Sequence, residues 1–305
     1  MKKLKNLSIS FKEKLFFSRV NKKNLRNTIN FINKHLGIKI KKNFYINRYF
    51  SNKKFNSFIC YNNTKIIAHV GYVKYFSKFE KNKIYSRHSS IVHKDYRNKK
   101  IYSKLLDYSF KNLDNMASFL FWPNNNNKKR NFKNIKNNFC YKLINNFIFF
   151  YLKEKKLNKL NKLNKLNNLK IFDKFYLINT HNNIIFKDKI YFKKRYFEFK
   201  NNKYYYDIFD NESLAIFTDN KFNKNPVLIE LVGNKNKKKA HLLNLSKKFE
   251  FYYCLHPSKL INYRKFFNFR DTKIEFNSIY LTNEKLNMKN YDIHLADTDS
   301  FLKTI

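Results

Sequence analysis

Apolar residues at Leu25, Ile29, Ile32 and Leu36 recur at helical spacing and predict a helix over residues 22–36, with Gly37 as its stop. A strand-like period then takes over. Residues 55–61 and 66–75 read as two strands joined by the turn Asn62-Asn63-Thr64-Lys65. A charged loop over 77–83 leads into a third strand over 84–92. The polar break His93-Lys94-Asp95-Tyr96-Arg97 follows. A helix opens near Asn98, with Ile101, Tyr102, Leu105, Leu106, Phe110 and Leu113 as its buried stripe. The apolar run 117–122 predicts a buried strand that Pro123 ends. The asparagine tract 124–127 is a loop, residues 130–137 read as a helix, and 139–152 is again strand-like.

From Leu157 to Leu169 the triplet Leu-Asn-Lys repeats almost without interruption. A leucine at every third position drifts around a helix and makes a poor core stripe. The repeat therefore reads as a low-complexity insertion or exposed helix joining two halves. The second half is strand-rich, with strands over 204–209, 213–218 and 227–232. A helical pattern covers 237–249, although 240–245 also fits a strand. This division predicts a first domain over 1–155, a linker over 156–170 and a second domain over 171–305.

Composition narrows the class. The 305 residues hold 43% hydrophobic and 19% aromatic side chains, enough to build a core and too many for a disordered basic tail. Cys60, Cys140 and Cys254 are far apart and form no CxxC pair, so a zinc ribbon or disulfide framework is not supported. The thiols read as reduced, and a cytoplasmic location is expected. No apolar segment follows the basic N-terminus, and the longest apolar run, 147–152, is too short to span a bilayer.

The net charge of +44 invites a polyanionic partner. Its carriers are nearly all lysines scattered among Asn, Ile, Tyr and Phe. These residue types share A/T-rich codons, so genome composition alone accounts for the bias. The same drift explains why three glycines are left.

The chemically informative segment runs from Ser90 through His93 and Arg97 to Leu106. It is a strand, a polar turn and a helix with a basic first turn. Unpaired backbone N–H groups and the positive end of the helix dipole there suit a pyrophosphate. A plain strand-to-helix connection with a solvated basic cap explains the same pattern.

The segment resembles motif A of the GNAT acyl-CoA N-acyltransferases, whose pattern after a strand is Arg/Gln-x-x-Gly-x-Gly/Ala. Arg97 takes the first position, Lys100 stands where the first Gly is expected, and Tyr102 where the Gly/Ala is expected. Lys100 is a departure, because Gly there lets the backbone approach phosphates. The segment Phe119-Leu120-Phe121-Trp122-Pro123-Asn124 resembles the strand-end Phe-Pro-Asn of a branch with tandem GNAT-like domains. Residues 24–37 and Ile66-Ile67-Ala68-His69-Val70-Gly71 resemble that branch's first helix and following strand. In the second half, Tyr191–Tyr196 and Asp297-Thr298-Asp299 resemble its later segments.

The resemblance implies an α+β GNAT fold, a mixed and mostly antiparallel sheet flanked by helices, with a second, degenerate GNAT-like half. It implies transfer of an acetyl group from acetyl-CoA to an amine of a small polar acceptor such as an amino sugar. Ile91, Val92, Arg97, Asn98, Lys99, Lys100, Ile101, Tyr102 and Asn124 are the implied coenzyme-binding positions, in a single site in the first half. Val92 would offer the backbone N–H that polarises the thioester carbonyl. His88 shares the strand parity of Val92 and is the candidate base. The family's usual Tyr position holds Asn134, and Tyr141 is the nearby candidate acid.

No metal is expected. Asp292, Asp297, Asp299 and His294 lack the spacing of a calcium loop. Two other readings stay open. One is a degenerate GNAT fold retained for binding. The other is a nucleic-acid-binding protein, for which interleaved Lys, Tyr and Phe would serve.

Overall fold

A computed structural model describes residues 14–37, 39–51, 53–76, 83–113, 118–121, 139–152, 163–175, 188–198, 203–219, 225–255 and 266–282. The chain forms two units, each interrupted in sequence. The first comprises Met1–Tyr72 with His88–Leu113, and the second Val73–Arg87 with Asp114–Ile305. The sequence division places its boundary at the Leu-Asn-Lys repeat instead.

The first unit holds strand β1 (Leu15–Arg19), helices α1 (Leu25–Leu36) and α2 (Lys42–Tyr49), the short pair β2 (Phe50–Ser51) and β3 (Lys54–Phe55), and strand β4 (Ser57–Asn62). Strands β5 (Lys65–Phe76) and β6 (Lys83–Val92) have residues in both units, and helix α3 (Ile101–Asn112) completes the first. The sheet order here is β1-β4-β5-β6. Helix α1 buries Leu25, Thr28, Ile29, Phe31 and Ile32, and Gly37 ends it at φ 64°. That left-handed closure is the ordinary use of a C-terminal glycine. Helix α3 buries Ile101, Leu105, Leu106, Ser109 and Phe110, and its Ser109 Oγ lies 2.6 Å from the hydroxyl of buried Tyr72.

In the second unit follow β7 (Ser118–Phe121), β8 (Phe139–Phe150), β9 (Asn164–Lys165), α4 (Lys189–Phe192), β10 (Tyr204–Phe209), β11 (Ser213–Thr218), β12 (Val227–Gly233), α5 (Lys235–Lys248), β13 (Phe251–Leu255) and β14 (Phe269–Thr282). The order from the first half of β6 is β6-β7-β14-β8-β13-β12-β11-β10-β9. Most pairings are antiparallel. The exceptions are β6 with β7 and β12 with β13, each a parallel pair bridged in sequence by a helix. Asp210 and Asn211, both with φ near 50°, turn the β10–β11 hairpin. Ile148, Phe150, Phe217, Leu228, Leu242 and Phe251 lie in one buried cluster between α5 and the sheet.

Two sequence expectations need correction, and one open alternative is decided. The helix expected to open near Asn98 is α3, which opens at Ile101. The expected helix over 237–249 is present as α5, and the strand alternative for 240–245 falls away. The described part of the repeat, residues 163–169, is mostly exposed as expected but is not a helix, and Leu163 is buried in the core cluster while Asn164–Lys165 pair with β10. A 3₁₀ segment, Leu169–Lys174, follows it. The expected helix over 130–137 lies outside the described residues. Among the described residues, no helix is long and apolar enough to cross a membrane.

Candidate active site

Strand β6 ends in the first unit at Val92, and the chain reaches α3 in eight residues. A 3₁₀ turn, Lys94–Tyr96, comes first, with the His93 side chain accepting from the Asp95 N–H at its start. The His93 N–H is anchored to the Ile67 carbonyl of β5 at 2.8 Å. Arg97 is extended, and Asn98 and Lys100 then take left-handed conformations, with φ 66° and 57°. Residues 97–100 are exposed. No side chain caps α3, whose first-turn amides lie outside its own hydrogen-bond ladder. The helix dipole adds to the charge of Lys94, Arg97, Lys99, Lys100 and Lys104, against Asp95 alone on this stretch.

Lys100 in the left-handed region has a sequence meaning. The resemblance places a glycine at this position, and the backbone keeps the conformation that a glycine would supply. Asparagine tolerates that region through its short polar side chain, whereas lysine carries a strain of about 1 kcal/mol. Lys100→Gly is therefore expected to stabilise the protein by up to about 1 kcal/mol, net of glycine's greater freedom in the unfolded chain. A higher urea midpoint at an unchanged slope is the readout.

Behind the strand end lies a buried polar network. Ser89, within β6, has φ 47°. Its carbonyl is 2.8 Å from His69 Nδ1, and its hydroxyl accepts from Tyr49 at 2.9 Å. His69 Nε2 lies 2.9 Å from the Tyr45 hydroxyl, which also bonds Ser57 Oγ at 2.8 Å. His69, Tyr45 and Ser57 are fully buried. Burial drives the His69 pKa down to about 4, partly opposed by the bond to Ser89. The ring is thus neutral at pH 7. A carbonyl can only accept, so the ring proton sits on Nδ1.

The folded His69 pKa lies below its ordinary value of 6.5. Between the two values the unfolded chain binds a proton that the folded chain refuses. Stability is therefore complete above about pH 6.5 and falls as pH drops towards 4, by about 1.4 kcal/mol per unit and about 3 kcal/mol in total. Urea unfolding at pH 7 and pH 4.5 checks this. His69→Gln is expected to flatten the difference.

Of the positions expected to bind coenzyme, Ile91 is buried and Val92 half-buried at the end of β6, followed by Arg97–Lys100 on the loop. Ile101 faces the core and Tyr102 is half-buried in the first turn of α3. These eight lie on one strand–turn–helix segment, residues 91–102, with the 3₁₀ turn between Val92 and Arg97. Asn124, Asn134 and the acidic group Asp292, Asp297 and Asp299 lie outside the described residues. The parity argument for His88 does not carry through β6, because the kink at Ser89 interrupts the alternation on which it rests. His88 and Ile91, three apart, are both buried. Tyr141 belongs to the second unit, on β8 opposite Tyr280. Burial pushes the Cys60 thiol up to about 11, so this buried side chain is no nucleophile at neutral pH.

The second unit repeats the crossover, β12 to α5 to parallel β13, but closes its helix start. Asn234 caps α5 by accepting from the Lys237 N–H at 2.9 Å, and Lys237 Nζ is held by Asp210 at 3.3 Å and Glu212 at 2.6 Å. Those carboxylates oppose a bound anion. A Ser–His–Asp constellation also occurs there, with His241 Nδ1 2.9 Å from Ser213 Oγ and Nε2 2.9 Å from Asp207. It is no hydrolytic triad. Ser213 and His241 are fully buried, and the Ser213 hydroxyl donates to the Val232 carbonyl. The constellation ties α5 to β10 and β11.

No family model matches the chain, and no curated protein matches it. Solved structures do. A GCN5-related N-acetyltransferase from Anabaena variabilis superposes with a TM-score of 0.63 at 8% identity, over 89% of this chain and 73% of that one. A probable N-acyltransferase from Enterococcus faecalis gives 0.62 at 9% identity, over 88% and 73%. A putative acetyltransferase from Pyrococcus horikoshii gives 0.56 at 9% identity, over 96% and 98%. The fold is that of the GCN5-related N-acetyltransferases, with a second GNAT-like half.

Proposed function

We propose that the protein is an N-acyltransferase that moves an acetyl group from acetyl-CoA to a primary amine of a small polar acceptor, such as an amino sugar. The observation that carries this reading is the loop from Arg97 to Lys100. It keeps two left-handed residues without a glycine and leads into a helix start that no side chain caps. The donor set, backbone amides with Arg97 and neighbouring lysines, fits a pyrophosphate. Acetyl-CoA supplies the activated acyl group as a thioester.

The chain's part is to hold the pyrophosphate at the loop and to fix the acyl carbonyl against the end of β6. The Val92 backbone N–H is assigned to polarise that carbonyl. The amine attacks carbon, the C–S bond breaks, and the proton lost by the amine balances the one gained by the departing thiolate. Holding the reactants side by side supplies much of the rate. A single coenzyme site, in the first half, is supported by the capped and carboxylate-faced start of α5.

One observation favours a second reading, a fold that binds without transferring. The Lys100 side chain sits where the resemblance puts none. Release of free CoA thiol from acetyl-CoA, measured across a panel of amino sugars and small polyamines, separates the two. Amine-dependent release supports the transferase. Tight coenzyme binding with no release from any amine supports the second reading.

A further inference from the structure

Ser89 is the one residue inside a described strand, glycines aside, with positive φ. Nothing in its own side chain requires this, so its surroundings hold it there. Two groups grip it from separate elements. His69 of β5 takes the backbone carbonyl, and Tyr49 of α2 takes the hydroxyl. The Tyr49 ring reaches Ser89 by lying over Gly71, where a Cβ would meet Cε1 at 2.5 Å. One of the chain's three glycines is thus kept under this ring. The Tyr45, Tyr49 and His69 rings pack mutually, with centroids 4.8–6.1 Å apart. Ser57 supports them from β4. Three residues beyond Ser89 lies Val92, where the strand ends.

We propose that Tyr49 and His69 are positioning residues for acyl transfer, holding the left-handed kink at Ser89 and thereby setting the direction of the strand end Ser90–Val92. The inference rests on the acyltransferase reading for its consequence, though not for the kink itself. Neither side chain touches a reactant. Both act through Ser89, which fixes the line along which the Val92 N–H points.

The test compares the full-length protein with Tyr49→Phe, which keeps the ring over Gly71 and deletes the hydroxyl, and with Tyr49→Phe/Ser89→Gly. Backbone NMR of residues 89–92 reads the kink. Steady-state transfer and acetyl-CoA titration read its use. In Tyr49→Phe, Ser89 is expected to shift towards extended dihedrals and kcat to fall about tenfold, the scale of one lost hydrogen bond. Coenzyme affinity is expected to stay within about twofold, because a lost positioning contact acts on the transition state. The double variant is expected to recover both, since glycine adopts positive φ without a tether. His69→Gln, which retains a donor for the Ser89 carbonyl, is expected to keep the kink, and His69→Leu to lose it.

Unchanged dihedrals at Ser89 in Tyr49→Phe and His69→Leu would overturn the proposal. So would a loss of kcat and affinity in parallel that Ser89→Gly does not restore. The NMR arm decides the claim about the kink even in a protein that transfers no acetyl group, so a failure of the function reading is seen separately.

Discussion

Replacing Arg97 with alanine is expected to weaken acetyl-CoA binding by about 1–3 kcal/mol, the range for a lost charged hydrogen bond. In dissociation constant that is about 5- to 150-fold. Arg97 is the residue at which the resemblance and the geometry meet. It takes the first position of the motif, its backbone is extended, and it precedes the left-handed pair Asn98 and Lys100. Its Nε lies 3.5 Å from the Val92 carbonyl, so the side chain runs from the strand end across the loop. The lysines around it are part of a chain-wide excess. Lys94→Ala, which removes one charge from the same stretch, is expected to cost less than about 1 kcal/mol, as for other exposed charges. Calorimetric titration of the two variants tests the ranking. Equal, small effects would reduce Arg97 to one more surface cation.

Gly71→Ala is expected to destabilise the protein by about 1–3 kcal/mol, the cost of overpacking a filled core. The added Cβ would lie 2.5 and 2.7 Å from two atoms of the Tyr49 ring. That ring cannot swing aside cheaply. It is buried, belongs to α2, and is tied through its hydroxyl to Ser89. The new methyl therefore displaces the ring or the strand beneath it. A lower urea midpoint is expected, together with loss of the Ser89 conformation by NMR. Gly37→Ala, where a Cβ meets nothing within 4 Å, isolates the backbone contribution of a left-handed glycine. Gly71 has no positive φ, so its cost comes from the contact, and an unchanged urea midpoint in Gly71→Ala would mean that contact with Tyr49 contributes nothing.

Much of the fold is legible in the sequence where periodicity is sustained. The stripe of α1 and its glycine stop, the β4–β5 hairpin and strands β10 and β11 follow from apolar spacing and turn residues. Helix α2 does not. It is eight residues long, and its buried contacts are Tyr45 and Tyr49. Two amphipathic side chains four apart make too short a stripe to read. Strand β1 is equally silent, with five residues in a lysine-rich stretch and one neighbour, β4. The repeat misleads for a different reason. Its composition reads as solvated, yet Leu163 finds a hydrophobic cluster built from β8, β11, β12 and α5 that no local pattern announces.

The proposed coenzyme loop is legible through the resemblance, and the structure adds a physical reason for its alignment. Lys100 takes positive φ where the resemblance expects a glycine, so the backbone there preserves what the residue type has lost. The kink at Ser89 is hidden because Ser89 and Ser90 are both polar and break no apolar alternation. The parity argument for His88 inherits that blindness. His69 and Tyr49 are unreadable as a pair, being 20 residues apart and meeting only through Ser89.

Calorimetric titration with acetyl-CoA at about 0.3 M salt tests the proposed single site at the start of α3, since loose polyanion binding is screened there. ATP and a short oligonucleotide serve as controls. Saturable one-to-one binding of acetyl-CoA is expected in preference to both controls, and Arg97→Ala is expected to weaken it. Equal binding of all three polyanions, or none of acetyl-CoA, would contradict the proposed site.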